Sequence, residues 1–63
     1  MKIERHAKII DLINRYDIET QEELAERLNR EGFAVTQATV SRDIRELKLT
    51  KISQNGEKQK YAV

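Results

Sequence analysis

Thr36-Gln-Ala-Thr-Val-Ser-Arg-Asp-Ile-Arg-Glu-Leu47 has the pattern of a capped amphipathic helix. At about 100° per residue, Val40, Ile44 and Leu47 share one apolar stripe of a helix, which should pack inward. The opposite side carries small or basic side chains, namely Ala38, Ser41, Arg42 and Arg45. We predict a helix from about residue 37 to residue 47 or 48, with Thr36 as its N-cap.

The outward side of this helix has the chemistry of a DNA-reading surface. Arginine presents a planar fork that can bond the O6 and N7 acceptors of guanine together. Ala38 is small enough to let the helix approach the floor of a groove and touch a thymine methyl group. A solvated helix surface is the alternative, because serine and arginine are common on any exposed face.

The segment before it predicts a second helix, from about residue 21 to residue 30. Thr20-Gln-Glu-Glu23 has the form of a capping box, and Gly32 suits a left-handed helix end. Phe33 and Val35 supply apolar anchors between the two helices. Two short helices with a tight connection indicate a helix-turn-helix, and this connection has the length of winged variants.

A first helix is predicted over residues 3–16, from apolar side chains at helical spacing. One stripe holds Ile3, Ala7, Ile10 and Ile13, broadened by Ile9, Leu12 and Tyr16. The chain has 63 residues, enough for one domain with a thin core. We therefore expect a mainly α fold (α+β), a three-helix winged helix-turn-helix with a C-terminal β-hairpin wing.

The wing is predicted from the change to an extended pattern after Leu49. Asn55-Gly56 is a strong signal for a two-residue type I′ turn. Such a loop pairs Ser53 with Lys58, Ile52 with Gln59, Lys51 with Lys60, and Thr50 with Tyr61. The packing face would then hold Thr50, Ile52, Gln59, Tyr61 and Val63. The other face would hold Ser53 and three lysines that could contact phosphate, Lys51, Lys58 and Lys60; protection of an exposed edge is the alternative.

The charge is distributed unevenly along the chain, although the net charge is only +1. Residues 17–31 carry six acidic side chains against two arginines, and residues 32–63 carry six basic side chains against three acidic ones. The C-terminal half is therefore the predicted binding half for a polyanion.

The sequence predicts no enzyme, no metal site and no membrane segment. His6 is the only histidine, there is no cysteine, and Ser41 has no base beside it. We expect His6 and Arg5 to be surface groups of the first helix. Asp43 and Glu46 should be helix-surface partners of neighbouring basic side chains, with Asp43 near the core edge, where it could orient an arginine. No run of residues is apolar enough to span a membrane or to act as a signal peptide, so we expect a cytoplasmic protein.

Two segments resemble the N-terminal domain of bacterial arginine repressors. They are Ile18-Glu-Thr-Gln-Glu-Glu-Leu24 and Val35-Thr-Gln-Ala-Thr-Val-Ser-Arg-Asp-Ile-Arg-Glu-Leu47. The resemblance implies a winged helix-turn-helix that binds palindromic operators near arginine metabolism genes. It also implies that the pair Ser41-Arg42 is central to operator binding. Further contacts are implied for Gln37 and Arg45, and for Lys58 and Lys60 of the wing.

Members of that family carry a second domain, which binds L-arginine as corepressor and assembles trimers into hexamers. By this resemblance, residues 1–63 form an isolated DNA-binding domain of a homo-hexameric protein. The predicted function is sequence-specific binding of double-stranded operator DNA by an arginine-responsive regulator. That regulator would repress arginine biosynthesis, with activation of catabolism left open. The alternative is a winged-helix module for protein–protein interaction.

Overall fold

The computed structural model describes residues 2–53 and 59–63, and it confirms the predicted fold class. Three helices are followed by a two-stranded antiparallel hairpin. The elements are α1 (Lys2–Arg15), α2 (Gln21–Arg30), α3 (Gln37–Leu47), β1 (Thr50–Ser53) and β2 (Gln59–Ala62). Helices α2 and α3 occupy their predicted ranges, whereas α1 begins and ends one residue before its predicted range.

Both predicted N-caps are present. The Thr20 hydroxyl accepts a hydrogen bond from the backbone N–H of Glu23 at 3.0 Å. The Thr36 hydroxyl accepts one from the backbone N–H of Thr39 at 3.3 Å. Each bond satisfies a donor that the first turn of a helix leaves without an intrahelical partner. The two helices of the helix-turn-helix therefore begin where their threonines place them.

Helix α2 ends in the left-handed turn predicted at Gly32, whose φ is 96°. The Phe33 N–H bonds the carbonyl of Leu28 at 2.9 Å, and the Gly32 N–H bonds the carbonyl of Asn29 at 3.1 Å. This pair of bonds is a Schellman closure, and it turns the chain sharply out of α2. The turn directs Phe33 towards the core, where it packs as a partly buried side chain.

Helix α3 closes in the same way without a glycine. Lys48 adopts the left-handed conformation with φ 56° and ψ 41°. The Leu49 N–H bonds the carbonyl of Ile44 at 3.0 Å, and the Lys48 N–H bonds that of Arg45 at 3.2 Å. A lysine in this conformation carries a steric penalty of roughly 1–2 kcal/mol relative to a right-handed one. The sharp turn between α3 and the wing therefore occurs at Lys48, where the sequence has no glycine that would predict it.

The core lies where the three helices and β2 meet. Its buried apolar side chains are Ile9, Leu12, Ile13, Ile18, Leu24, Ala25, Leu28, Val40, Ile44 and Tyr61. The predicted stripe of α1 is wrong at its N-terminal end, because Ile3 is 79% exposed and Ala7 is exposed as well. The buried side of α1 is centred on Ile9, Leu12 and Ile13, at i, i+3 and i+4.

The register of the wing differs by one residue from the prediction. Observed pairs are Thr50 with Ala62, Lys51 with Tyr61, Ile52 with Lys60, and Ser53 with Gln59. Partners directly opposite each other point to the same face, so Lys51 and Lys60 lie on opposite faces of the hairpin. The predicted opposition of these two lysines, and their shared face, are therefore wrong. The Asn55-Gly56 turn and the Ser53–Lys58 pair lie outside the described residues.

Tyr61 accounts for the observed position of β2. Its side chain is buried, and its backbone N–H donates to the carbonyl of Ile18 at 2.9 Å. β2 is thus held between β1 and the connection that joins α1 to α2. This long-range bond and the burial of Tyr61 fix β2 against the helices.

Candidate nucleic-acid interface

The outer face of α3 gathers the residues that the sequence predicted for DNA contact. Gln37, Ala38, Arg42 and Arg45 are exposed, and Ser41 is half-buried. Val40, Asp43 and Ile44 are the buried residues of this helix. Helix α3 therefore packs with one side and offers the other to solvent, as its spacing predicts.

Asn29 joins α2 to the connection before α3, a role that was not predicted from the sequence. Its amide nitrogen donates to the carbonyl of Ala25 at 2.9 Å and to that of Val35 at 3.2 Å. Its amide oxygen accepts from the backbone N–H of Val35 at 3.2 Å. One side chain therefore joins the last turn of α2 to the residue that precedes the Thr36 cap. An asparagine four residues before a phenylalanine anchor is the only signal for this clamp in the sequence.

The buried face of α3 contains a carboxylate, Asp43, which is only 1% exposed. The Arg5 guanidinium donates to both of its oxygens, and the bond from Nη2 to Oδ1 is 2.8 Å long. The His6 Nε2 lies 3.0 Å from the same Oδ1 and 3.5 Å from the Glu46 Oε1. Arg5 and His6 are therefore bridges from α1 to α3, and the prediction that they are surface groups is wrong. The prediction that Asp43 is a helix-surface partner of neighbouring basic residues is also wrong, because it is buried and its partners lie on α1. The position of Asp43 beside Ile44, on the inward stripe, was the available signal.

The electrostatics of this cluster favour the ionised carboxylate. Burial raises the pKa of Asp43, but hydrogen bonds from Arg5 and His6 and their charges overcome that effect and lower the pKa below its usual value. The hydrogen bond to Asp43 raises the pKa of Arg5 despite the opposing effect of burial. The charged pair is therefore the stable form, with the fork of the guanidinium matched to the two oxygens.

The same cluster has donor atoms of the kind that bind metal ions. Ligand atoms of His6, Asp43 and Glu46 lie within 4.8 Å of one another. The Arg5 guanidinium already bonds both oxygens of Asp43, so a metal ion would have to displace it. Arg5 thus supplies the positive charge that these carboxylates attract, and the arrangement is that of an ion-pair bridge between helices.

Some arginines of the chain form ion pairs with carboxylates, and others do not. Arg15 pairs with Asp11 at 3.2 Å, and Arg30 pairs with Glu26 at 2.6 Å. Ion pairs also engage Arg5 and Arg27. Within residues 2–53 and 59–63, by contrast, no ion pair engages Arg42, Arg45, Lys48 or Lys51. The cations left for an external anion among the described side chains are therefore concentrated in the segment from α3 to β1.

The structure separates the lysines predicted for the wing. Lys51 is exposed, with its ammonium 5.0 Å from the centre of the Tyr61 ring. The Lys60 ammonium pairs with Asp17 at 3.2 Å, and the side chain is only 17% exposed. Lys51 is therefore an exposed cation of β1 without an ion pair among the described residues, whereas Lys60 ties β2 to the connection after α1. Lys58 lies outside the described residues.

The sequence profile described as "Arginine repressor, DNA binding domain" matches residues 1–63. The chain belongs to the arginine repressor family. Its relatives include the arginine repressor of Lachnoclostridium phytofermentans, 62% identical over 63 residues. They also include that of Clostridium botulinum strain Hall, 64% identical over 62 residues, and that of Lachnospira eligens, 61% identical over 62 residues.

These arginine repressors are longer than the chain that matches them. The matched region covers 98–100% of this chain and 41% of each of the three relatives. The region matched by the profile is the family's DNA-binding domain, and it contains every residue of the interface on α3. Among the described residues, no helix is both long and apolar enough to cross a bilayer.

Proposed function

We propose that this arginine repressor domain binds double-stranded DNA sequence-specifically, with α3 in the major groove. The observation that carries the proposal is the distribution of cations. Among the described residues, carboxylates engage the arginines of α1 and α2, whereas Arg42 and Arg45 point outward from α3 without an ion pair. Guanidiniums held outward on a helix of small and polar residues suit the acceptors of a guanine edge.

Each residue of the α3 face has a role in this proposal that follows from its chemistry. Arg42 and Arg45 bond base edges or the adjacent phosphates, and Ser41 bonds a base or a phosphate. Gln37 stands in the first turn, where the positive end of the helix dipole faces the DNA backbone. Ala38 lets the helix approach the groove floor. The mechanism is non-covalent contact, and no covalent bond is made or broken.

The segment after α3 would contact the DNA backbone. Lys48 and Lys51 are exposed and follow the reading helix directly, which supports assigning their ammonium groups to phosphates beside the groove. Lys58 keeps the same proposed role from the sequence. For Lys60, the pairing with Asp17 favours a role in holding the wing against the helices.

The regulatory part of the proposal concerns the longer protein. We infer a cytoplasmic repressor of arginine biosynthesis, with L-arginine as corepressor and a dimer of trimers as the assembled form. The arginine site and the assembly surface are assigned to the part of the relatives' length that this chain does not span. L-arginine should then leave the DNA affinity of the 63-residue chain unchanged. Stoichiometric binding of arginine to this chain in a calorimetric titration would contradict that assignment.

Arg42→Ala tests the proposed reading role. We expect weaker binding to an operator duplex from an arginine biosynthesis gene, and a smaller loss on a scrambled duplex. An arginine–base pair contributes roughly 1–3 kcal/mol of discrimination. The control is Arg30→Ala, which removes an exposed arginine of α2 paired with Glu26. Fluorescence anisotropy with both duplexes measures the ratio, and equal losses on the two duplexes would make Arg42 a phosphate contact.

A further inference from the structure

We propose that Asp43 is a positioning residue for base reading, which fixes the rotation of α3 and with it the direction of Arg42. The inference rests on the proposed function, because it concerns how that same face is held. Asp43 itself is buried on the far side of the helix and cannot contact DNA in this arrangement. Asp43 would act through Arg42, its neighbour in the sequence.

The geometry of the carboxylate makes it a directional link. Two donors of the Arg5 fork and the ring nitrogen of His6 converge on one carboxylate from adjacent positions of α1. A planar fork against a carboxylate specifies orientation as well as distance. The apolar neighbours of Asp43 on α3, Val40 and Ile44, pack without such directionality. The rotation of α3 about its axis is therefore specified most sharply at Asp43.

The link also joins two helices whose backbones do not pack closely. Helix α3 packs along α2, and α2 packs along α1, but α1 and α3 make no comparable backbone contact in the part of the chain described. The bonds from Arg5 and His6 to Asp43 thus connect the two helices through side chains. Adjacent residues of a helix are separated by about 100°, so holding Asp43 inward sets the direction of Arg42.

Base reading and phosphate contact should respond differently to the loss of this link. A bidentate bond to a base edge weakens steeply when its angle changes. A phosphate contact carries no sequence information. A flexible cationic side chain can keep such a contact when the helix shifts slightly. Loosening α3 should therefore lower the ratio of operator affinity to random-DNA affinity and leave the salt dependence of binding almost unchanged.

Asp43→Asn is the direct test, because it keeps the shape and removes the charge. Arg5→Lys is a milder second variant, which keeps the charge on α1 and removes the fork. The control is Asp11→Asn, the same chemical change at a carboxylate of α1 that pairs with Arg15. Anisotropy titrations on operator and scrambled duplexes give the affinity ratio for each variant, and salt titrations give the slope.

The affinity ratio separates positioning from stability. A smaller folded fraction weakens binding to both duplexes by the same factor, so it leaves the ratio unchanged. We expect the ratio to fall roughly five- to tenfold in Asp43→Asn, within the range that one arginine–base contact supplies. Arg5→Lys should lower it less, and Asp11→Asn should keep it within a factor of about two of the unsubstituted chain.

Two outcomes would overturn the inference. An unchanged ratio in both Asp43→Asn and Arg5→Lys would limit Asp43 to a role in stability, and Arg5→Lys decides alone if Asp43→Asn does not fold. An equal fall in the ratio of operator affinity to scrambled-duplex affinity in Asp11→Asn and Asp43→Asn would show that the effect is not specific to Asp43. Failure of the unsubstituted chain to discriminate operator from scrambled DNA would instead overturn the proposed function.

Discussion

At the residue scale, Asp43 combines burial with charge. A buried carboxylate is destabilising unless donors surround it, and here Arg5 and His6 provide them. The carboxylate stands between Val40 and Ile44 in the middle of the core-facing side of α3. Its protonation state is consequently coupled to folding.

We expect the unfolding free energy to depend on acid through Asp43. Burial raises the pKa of Asp43, but the bonds from Arg5 and His6 lower it below the ordinary value of 3.8. Because the pKa of Asp43 is lower in the folded state, its stabilising contribution is complete when the pH is above the ordinary pKa. That contribution is lost as the pH falls through the pKa of the folded state. Asp43→Asn should lower stability at neutral pH by roughly 1.5–3 kcal/mol.

Urea titrations between neutral pH and about pH 2 measure this difference, since the Asp43 carboxylate of the unfolded chain titrates in that range. The gap between the unsubstituted chain and Asp43→Asn should narrow as the pH falls. Asp11→Asn, with the same loss of charge at an exposed pair, supplies the control. A gap that stays constant with pH would mean that the ionised form of Asp43 does not stabilise the fold.

Asn29 is a second residue with a structural role, although its side chain lies at the surface. Asn29→Ala removes two hydrogen bonds to Val35, which join α2 to the residue before the Thr36 cap, and a third to Ala25 within α2. We expect a loss of about 1–2 kcal/mol in the free energy of unfolding, because each neutral bond contributes roughly 1 kcal/mol or less at a partly exposed site. Asn14→Ala, the same change on the exposed side of α1, corrects for helix propensity. Equal stability of the two variants in chemical denaturation would contradict the clamp.

The residues that the sequence located correctly differ in kind from those it missed. Val40 and Ile44 follow a period that any amphipathic helix must show, so their burial was predictable. Asp43 and Asn29 act through partners that are distant in the sequence or lie in a turn, and no period marks them. Arg5 and His6 were assigned to the surface for the same reason, because their partner lies on another helix.

At the element scale, the helices were predictable because local chemistry sets their ends. Thr20, Thr36 and Gly32 act within one turn of their own positions. The register of the wing depends instead on Tyr61, whose burial and bond to Ile18 are long-range. A turn signal alone placed β1 one residue from its observed register. Such an error reverses the faces of a strand, and here it separated Lys51 from Lys60.

The observed register predicts different roles for these two lysines. Lys51→Ala should reduce the slope of log affinity against log salt concentration by about 0.9, the effect of one phosphate contact. Lys60→Ala should leave that slope close to its original value and lower stability, because it breaks the pair with Asp17. Salt titrations and urea denaturation of both variants measure the two effects. A larger change of slope in Lys60→Ala than in Lys51→Ala would reverse the assignment.

At the scale of the whole molecule, charge is partitioned by ion pairing. The chain has a net charge of only +1, yet its acidic residues are concentrated between residues 17 and 31. The described cations without a carboxylate partner lie between Arg42 and Lys51. An almost neutral domain can therefore present Arg42, Arg45, Lys48 and Lys51 to a polyanion, because its other described lysine and arginine side chains pair with carboxylates.

Binding of DNA by the cations of α3 and β1 can be measured in a single set of titrations. The unsubstituted chain is titrated against an operator duplex and a scrambled duplex at about 50 mM and about 200 mM salt. We expect tighter binding to the operator at both concentrations. We also expect a log–log salt slope of about −3 to −4, the value for phosphate contacts by Arg45, Lys48, Lys51 and Lys58. Equal affinity for the two duplexes, or affinity that does not change with salt, would contradict these expectations.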